Sequence, residues 1–285
     1  LSYCHISKGK SAMKVINKII LIFIFVLLLI PIYFMVIGSF QDIQGIFVMP
    51  PNLFPKRVTL SNYSILLKEN AFIWLINTLI VTVATVFLSV LVSATAGYAF
   101  SVYNYKHKNI LWSILLIQMM IPKISLFIPW FVIIKDLKLS GTLTATILPV
   151  VLSPMGMYLA RNYFESIPKS IIESARMDGA NEWQILRMII IPVSKPIVSV
   201  LGLFAGVSIL QDYVWQMLVL SDAKKQTLIV GLIRQSMNRT GDIALLVNPV
   251  GMSFAAGTLL LFPLIALFLI GNKYFIEGLQ GAVKE

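Results

Sequence analysis

Ile19-Ile-Leu-Ile-Phe-Ile-Phe-Val-Leu-Leu-Leu-Ile30 contains no polar side chain, and its apolar character extends from about residue 18 to residue 37. A helix needs about 20 such residues to cross the hydrocarbon core of a bilayer. Lys8, Lys10, Lys14 and Lys18 flank the run, as basic residues flank a secretory signal. Its length and the lack of a small-residue cleavage site predict a retained span instead. Five more runs of similar size follow, near 72–100, 109–131, 143–159, 197–220 and 254–270. Composition agrees, with 58% hydrophobic residues, 12% charged residues and a mean hydropathy of +0.87. Such values exclude a water-soluble surface.

Hydrocarbon offers no partners to free backbone groups, and the alternation of barrel strands is absent, so every run is expected to be helical. The fold class that follows is all-α, a polytopic membrane protein with six transmembrane helices. Pro31, Pro122, Pro129, Pro149, Pro154 and Pro263 lie inside or beside the runs and predict kinks that neighbouring helices tolerate.

The net charge of +11 does not indicate nucleic acid, because Lys and Arg occur in short groups between apolar runs and not along one face. They read as topology signals. Lys8, Lys10, Lys14, Lys18, Lys106, Lys108, Arg161, Lys169, Arg176, Arg187, Lys195, Lys273 and Lys284 fall on one side of a six-span arrangement and the other ten of the 23 lie opposite; with the cluster before the first span adding weight, the positive-inside rule assigns the former side, both termini and 161–196 to the cytoplasm. Cys4 has no partner for an internal disulfide, and His5 and His107 lack metal-ligand spacing, so no metal site is expected. Three regions result: 1–71 with the first span and an outer segment, a core at 72–271 and a cytoplasmic tail at 272–285.

Within the core, 161–196 is the longest polar stretch on the cytoplasmic side. Ile167-Pro168-Lys169-Ser170 supplies a helix start, Gly179 an end, and Asn181-Glu182-Trp183-Gln184 a second start. The second amphipathic piece, 185–191, is expected to stop at Pro192 and Pro196 before the next span. The segment reads Glu173-Ser174-Ala175, then Gly179, then Ile189-Ile190-Ile191-Pro192. This pattern resembles the signature of the inner-membrane components of binding-protein-dependent ABC importers: Glu-Ala-Ala, three residues, Gly, nine residues, Ile-x-Leu-Pro. Ser174 and Ile191 depart from it. Asn77-Thr78, Ala96-Gly97-Tyr98-Ala99-Phe100, Met120-Ile121-Pro122, Ile167-Pro168, Asp178-Gly179-Ala180 and the tail Lys273-Tyr274-Phe275-Ile276-Glu277-Gly278-Leu279-Gln280-Gly281 are similar to the carbohydrate branch of that family.

The resemblance implies a type I ABC importer permease fold and a coupling site at Glu173, Ser174, Ala175, Asp178, Gly179, Ala180 and Pro192 that docks into a cleft of a separate ATPase. It also implies two ATPase subunits, a second homologous permease, an extracytoplasmic sugar-binding protein and a sugar substrate in a prokaryotic cytoplasmic membrane. ATP and Mg would sit on the partner ATPase. Gly9-Lys10-Ser11 lacks the earlier glycine of a phosphate-binding loop, since Cys4 stands there. No catalytic constellation is present, so the chain is read as a transport subunit and not an enzyme.

A sugar path calls for hydrogen-bonding groups and aromatic faces. Gln211, Asp212, Tyr213, Trp215 and Gln216 in the fifth run supply them, with Gln118 and Asn77 as weaker candidates, residue types that more often bond one helix to another. Asp212 lies roughly 22 Å along a helix counted from Ile197, where it faces either the bundle interior or the outer headgroup region. Gly202 and Gly206 predict close helix packing. A secondary transporter or channel without ATP coupling remains the alternative from another class.

Overall fold

The computed structural model describes residues 2–46, 48, 52–68, 70–238 and 249–282, with side chains described from 16 to 235 and from 250 to 271 within those ranges. Every regular element among them is helical. Contacts divide the chain into two units, 1–69 with 236–259, and 70–235 with 260–285.

In the first unit, helix α1 (Ser2–Ser39) is followed by the short α2 (Ile43–Ile46) and by α3 (Ser61–Lys68). The apolar stretch that opened the sequence reading is exposed throughout α1, as expected of a surface whose solvent is lipid. Asn62 fastens α3 to the end of α1 by donating to the carbonyls of Ser39 and Gln41, both at 2.9 Å.

The second unit is built on α4 (Ala71–Val102), a single uninterrupted helix. Its buried face carries Thr78, Thr82, Thr85, Ser89 and Ser93 and ends in Gly97. Small side chains spaced three or four apart let helices approach closely in a membrane. An added Cβ at Gly97 would lie 2.5 Å from the Ala160 Cβ, and one at Gly206 would lie 2.5 Å from Leu267 and 3.3 Å from Val86. At Gly202 the nearest atom is at 3.5 Å, so close packing belongs to Gly206 more than to Gly202.

Next come α5 (Lys108–Gln118), α6 (Phe127–Asp136) after a 3-10 turn at Lys123–Leu126, α7 (Leu143–Val151) and α8 (Pro154–Glu165). The third and fourth apolar runs are therefore not continuous helices. α5 and the segment Lys123–Asp136 meet at 105°, and α7 and α8 at 44°. Both breaks precede or contain a proline, Pro122 and Pro154, which cannot donate to the preceding turn. The fifth run also divides, into α12 (Lys195–Gln211) and α13 (Tyr213–Val219), with Asp212 between them at φ −83 and ψ 65. Helix α14 covers Leu228–Asn238 and α15 covers Pro249–Ala282. Three helical segments, Ile16–Ser39, Ala71–Val102 and Val250–Gly271, are each long and apolar enough to cross a membrane unaided. The tail expected at 272–285 continues α15 to Ala282; its side chains and residues 283–285 lie outside the described residues.

Between α8 and α12 stand α9 (Lys169–Met177), α10 (Glu182–Ile185), a π-helical turn at Leu186–Ile190 and α11 (Ile191–Val193). The second piece runs on through Pro192 to Val193 and breaks at Ser194, between Pro192 and Pro196, where it meets α12 at 88°.

Candidate functional site

The segment Lys169–Ser194 forms a knuckle whose inner face is part of the protein core. Ile172 and Ala175 of α9, together with Ile185, Leu186 and Ile190, join Ala94 and Tyr98 of α4, Ala160 and Phe164 of α8 and Leu201 of α12 in one buried cluster. Burying a Leu or Ile side chain contributes about 1.5–3 kcal/mol relative to exposing it. The knuckle is thus seated by apolar burial away from water, whereas the helices beneath it associate in lipid by close packing.

Local sequence explains its shape. Pro168 sets the first turn of α9. Gly179, at φ +83, ends it: its N–H donates to the Arg176 carbonyl and that of Ala180 to the Ala175 carbonyl, both at 3.0 Å. This pair of bonds is the Schellman cap, which needs a left-handed residue at Gly179. Asn181 then opens α10 with a reciprocal capping box to Gln184 at 2.8 and 2.9 Å.

One side chain ties the knuckle to the end of α4. The Glu182 carboxylate accepts from the Tyr98 hydroxyl at 2.6 Å and from the Arg176 Nε at 2.8 Å. The Arg176 guanidinium holds the Glu182 carboxyl below its ordinary range, with the tyrosine hydroxyl bonds acting in the same direction against partial burial. Neither Tyr98 nor Glu182 stood among the expected coupling residues. The only sequence signals were Tyr98 inside Ala-Gly-Tyr-Ala-Phe and an acidic residue in the first turn of a capped helix.

The expected coupling residues divide between two faces. Glu173, Ser174, Asp178, Gly179 and Pro192 are exposed, Ala180 is half-buried, and Ala175 is buried in the core cluster. Ala175 therefore belongs to the seat of the knuckle more than to its outer face. Met177, Trp183 and Met188 add exposed apolar area to the outer face, Met177 at 82%. Glu173 also lines a cavity of about 530 Å³ at the base of the knuckle, with Lys108, Glu165, Lys169 and Arg176.

The candidates for a substrate path are not gathered in one place. Trp215 is fully buried and donates its indole N–H to the Ala145 carbonyl at 3.0 Å, within a cluster that includes Phe127 and Val219. Asn77 donates to the carbonyls of Lys224 and Gln226 at 2.8 and 2.9 Å, while Trp74 and Thr78 bind Ala223 and Leu228 of the same strap. Both residues are scaffold. Gln211 and Tyr213 are exposed on either side of the helix break. Asp212 forms a 2.7 Å ion pair with Lys123. Gln216 bridges that break by donating to the Ile209 carbonyl at 2.7 Å, which satisfies a carbonyl that the interrupted helix leaves free.

Gln118 and Lys123 open onto a cavity of about 300 Å³. Its wall includes both proline-containing breaks, Gln118 to Lys123 and Leu152 to Pro154, together with Trp130 and Ser208. Interrupted helix at membrane depth is tolerated where it lines a polar cavity or is buried in protein.

Comparison with known proteins accords with this geometry. Residues 89–280 match the family described as binding-protein-dependent transport system inner membrane component. The sequence is 30% identical over 267 residues to the arabinooligosaccharides transport system permease protein AraQ of Bacillus subtilis (strain 168), covering 90% of this chain and 91% of that protein. It is 30% identical over 270 residues to the galactooligosaccharides transport system permease protein GanQ of the same organism, covering 92% of each. The fold matches a chain of a bacterial ABC transporter involved in import of the acidic polysaccharide alginate, with a TM-score of 0.79, 26% identity and coverage of 94% of this chain and 98% of that one. A chain of the MetNI methionine ABC transporter shares the fold alone, at a TM-score of 0.56 and 19% identity, covering 77% of this chain and 99% of that one. A seated knuckle carrying the Glu173-to-Pro192 pattern, a bundle of interrupted helices and a family match over most of the sequence converge: the chain belongs to the binding-protein-dependent transport system inner membrane components and has the type I ABC importer permease fold.

Proposed function

We propose that this chain forms one half of the membrane path of an ATP-driven importer for sugars or oligosaccharides, in the cytoplasmic membrane of a prokaryote. The observation that carries the proposal is the knuckle: its inner face is core, Tyr98 and Arg176 lock it through Glu182, and its outer face exposes Glu173, Met177, Asp178 and Trp183. A helix pair fixed to a bundle on one side and open on the other suits a groove on a partner, in which apolar anchors and charged pairs share the contact. The partner in this reading is an ATPase subunit that binds ATP and Mg. Closure of two such subunits would turn the knuckle and, through the shared core, α4, α8 and α12 as a rigid-body change.

Six crossings, with both termini and the knuckle in the cytoplasm, are the topology that fits this role. Alongside the three continuous apolar helices, the bent pairs α5–α6 and α7–α8, each long and apolar enough if taken as one span, and α12 with α13 would supply the remaining crossings. A second homologous permease completes the path, and an extracytoplasmic binding protein delivers the sugar. The sugar class rests on the oligosaccharide relatives AraQ and GanQ and on the cavity at the two breaks. There Gln118, Ser153 and Ser208 offer hydrogen bonds and Trp130 a ring face, with Gln211 and Tyr213 as outer candidates. The test is uptake of arabinotriose and galactotriose into proteoliposomes holding the full complex and its binding protein. The account predicts accumulation of at least one sugar only with ATP. Uptake that persists without ATP would point to ATP-independent transport.

A further inference from the structure

The Lys123–Asp212 pair joins two interrupted helices, and its two members face different surroundings. The Asp212 side chain is 6% exposed and that of Lys123 is 41% exposed. Among the described residues lining the cavity at the helix breaks, Lys123 is the only charged one. Its ammonium has three N–H donors, of which one reaches the Asp212 Oδ2 at 2.7 Å. The cavity wall therefore carries an ammonium whose charge Asp212 offsets and which has N–H donors beyond the one that Asp212 takes.

From this geometry we infer that Lys123 and Asp212 act as a charge filter that makes the cavity selective for uncharged saccharides. The inference rests on the saccharide reading above and deepens it. An uncompensated ammonium on the wall of this cavity would attract a uronate carboxylate. With Asp212 in place that attraction is offset, and what remains is hydrogen bonding to hydroxyls by Lys123, Gln118 and Ser208. Lys123 is thus a specificity-determining residue and Asp212 its positioning partner.

The test uses the complex purified with its partner permease and ATPases but without the external binding protein, so that delivery does not preselect the cargo. Saturation-transfer NMR on an equimolar mixture of arabinotriose and the galacturonic acid trimer reads the ratio of bound acid to bound neutral sugar. Wild type is expected to favour arabinotriose. Asp212→Asn, which leaves the ammonium uncompensated, should raise the acid-to-neutral ratio by about tenfold or more. Lys123→Gln, which leaves only the carboxylate, should move the ratio the other way. Because the two variants predict opposite shifts, either one tests the filter if the other fails to assemble. An unchanged ratio in an assembled variant overturns the charge filter while leaving the saccharide site intact. Saturation transfer to neither sugar, in wild type that retains its ATPase, overturns the saccharide reading itself.

Discussion

Glu182 illustrates how one carboxylate positions a mechanical part. It accepts from Tyr98 on α4 and from Arg176 on α9, so the three elements move together. Arg176 and Glu182 are each about 40% exposed, and exposed pairs contribute little to global stability; their value here is positional. The Arg176 guanidinium holds the Glu182 carboxyl below the ordinary glutamate range in the folded chain. A depressed folded value means that its contribution is complete above the ordinary glutamate range and is lost as pH falls through the folded value. Sugar-coupled ATP hydrolysis by the reconstituted complex should therefore decline on that acid limb in wild type. In Glu182→Gln it should start lower and lack that component, and identical acid limbs would remove Glu182 from the coupling.

At Gly179 the constraint is conformational. Nothing lies within 4 Å of an added Cβ, but φ is +83, which costs an ordinary L-residue about 1–2 kcal/mol. Asn tolerates that region better than Ala. Gly179→Ala should lower the thermal midpoint of the purified complex more than Gly179→Asn does. Equal midpoints would show that the cap carries no strain.

At the scale of elements, the crossing of α4 and α8 depends on Gly97. An added Cβ would lie 2.5 Å from the Ala160 Cβ and 2.9 Å from the Arg161 backbone nitrogen. Gly97→Ala is expected to cost about 1–3 kcal/mol by overpacking, read as a lower thermal midpoint. Ala160→Gly in the same chain should recover part of the loss but not all, because the backbone contact remains. A Gly97→Ala chain as stable as wild type would show that the helices can separate freely.

The apolar runs were legible because each has at least about 17 residues, the lower limit for a helix that spans a bilayer, and α4 matches its expected span of 72–100 to within two residues. The breaks in the third, fourth and fifth runs were not, because hydropathy summed over about 20 residues does not register a turn of two or three. The signal for one of them was present: Lys123 falls inside the run 109–131, where an ionisable residue demands a partner. That partner, Asp212, had been singled out for the same reason, yet the two lie 89 positions apart and no local pattern connects them. The same holds for Tyr98 and Glu182, 84 positions apart. Asn77 bonds a neighbouring segment, the commoner role for such a residue, whereas the complete burial of Trp215 against Ala145 had no local sequence signal.

For the whole molecule, several motifs by which the sequence resembles its family are mechanical parts. Asn77 and Thr78 hold the strap at 223–228, Gly97 and Tyr98 join α4 to α8 and to the knuckle, and Ile121-Pro122 marks the sharpest bend. Ile167 lies in the cluster that seats the knuckle. The account built on them stands on one claim, that the outer face of the knuckle is the docking surface for an ATPase. The direct measurement is purification through a tag on this chain, co-expressed with its partner permease and ATPases, in wild type and in Met177→Glu. Met177 is 82% exposed, so the variant places a charge on the outer face without disturbing the core. The account predicts that wild type carries the ATPase through purification and that Met177→Glu loses most of it, with the thermal midpoint of the permease pair unchanged. Absence of an ATPase from the wild-type preparation, or its undiminished retention by Met177→Glu, would contradict the claim.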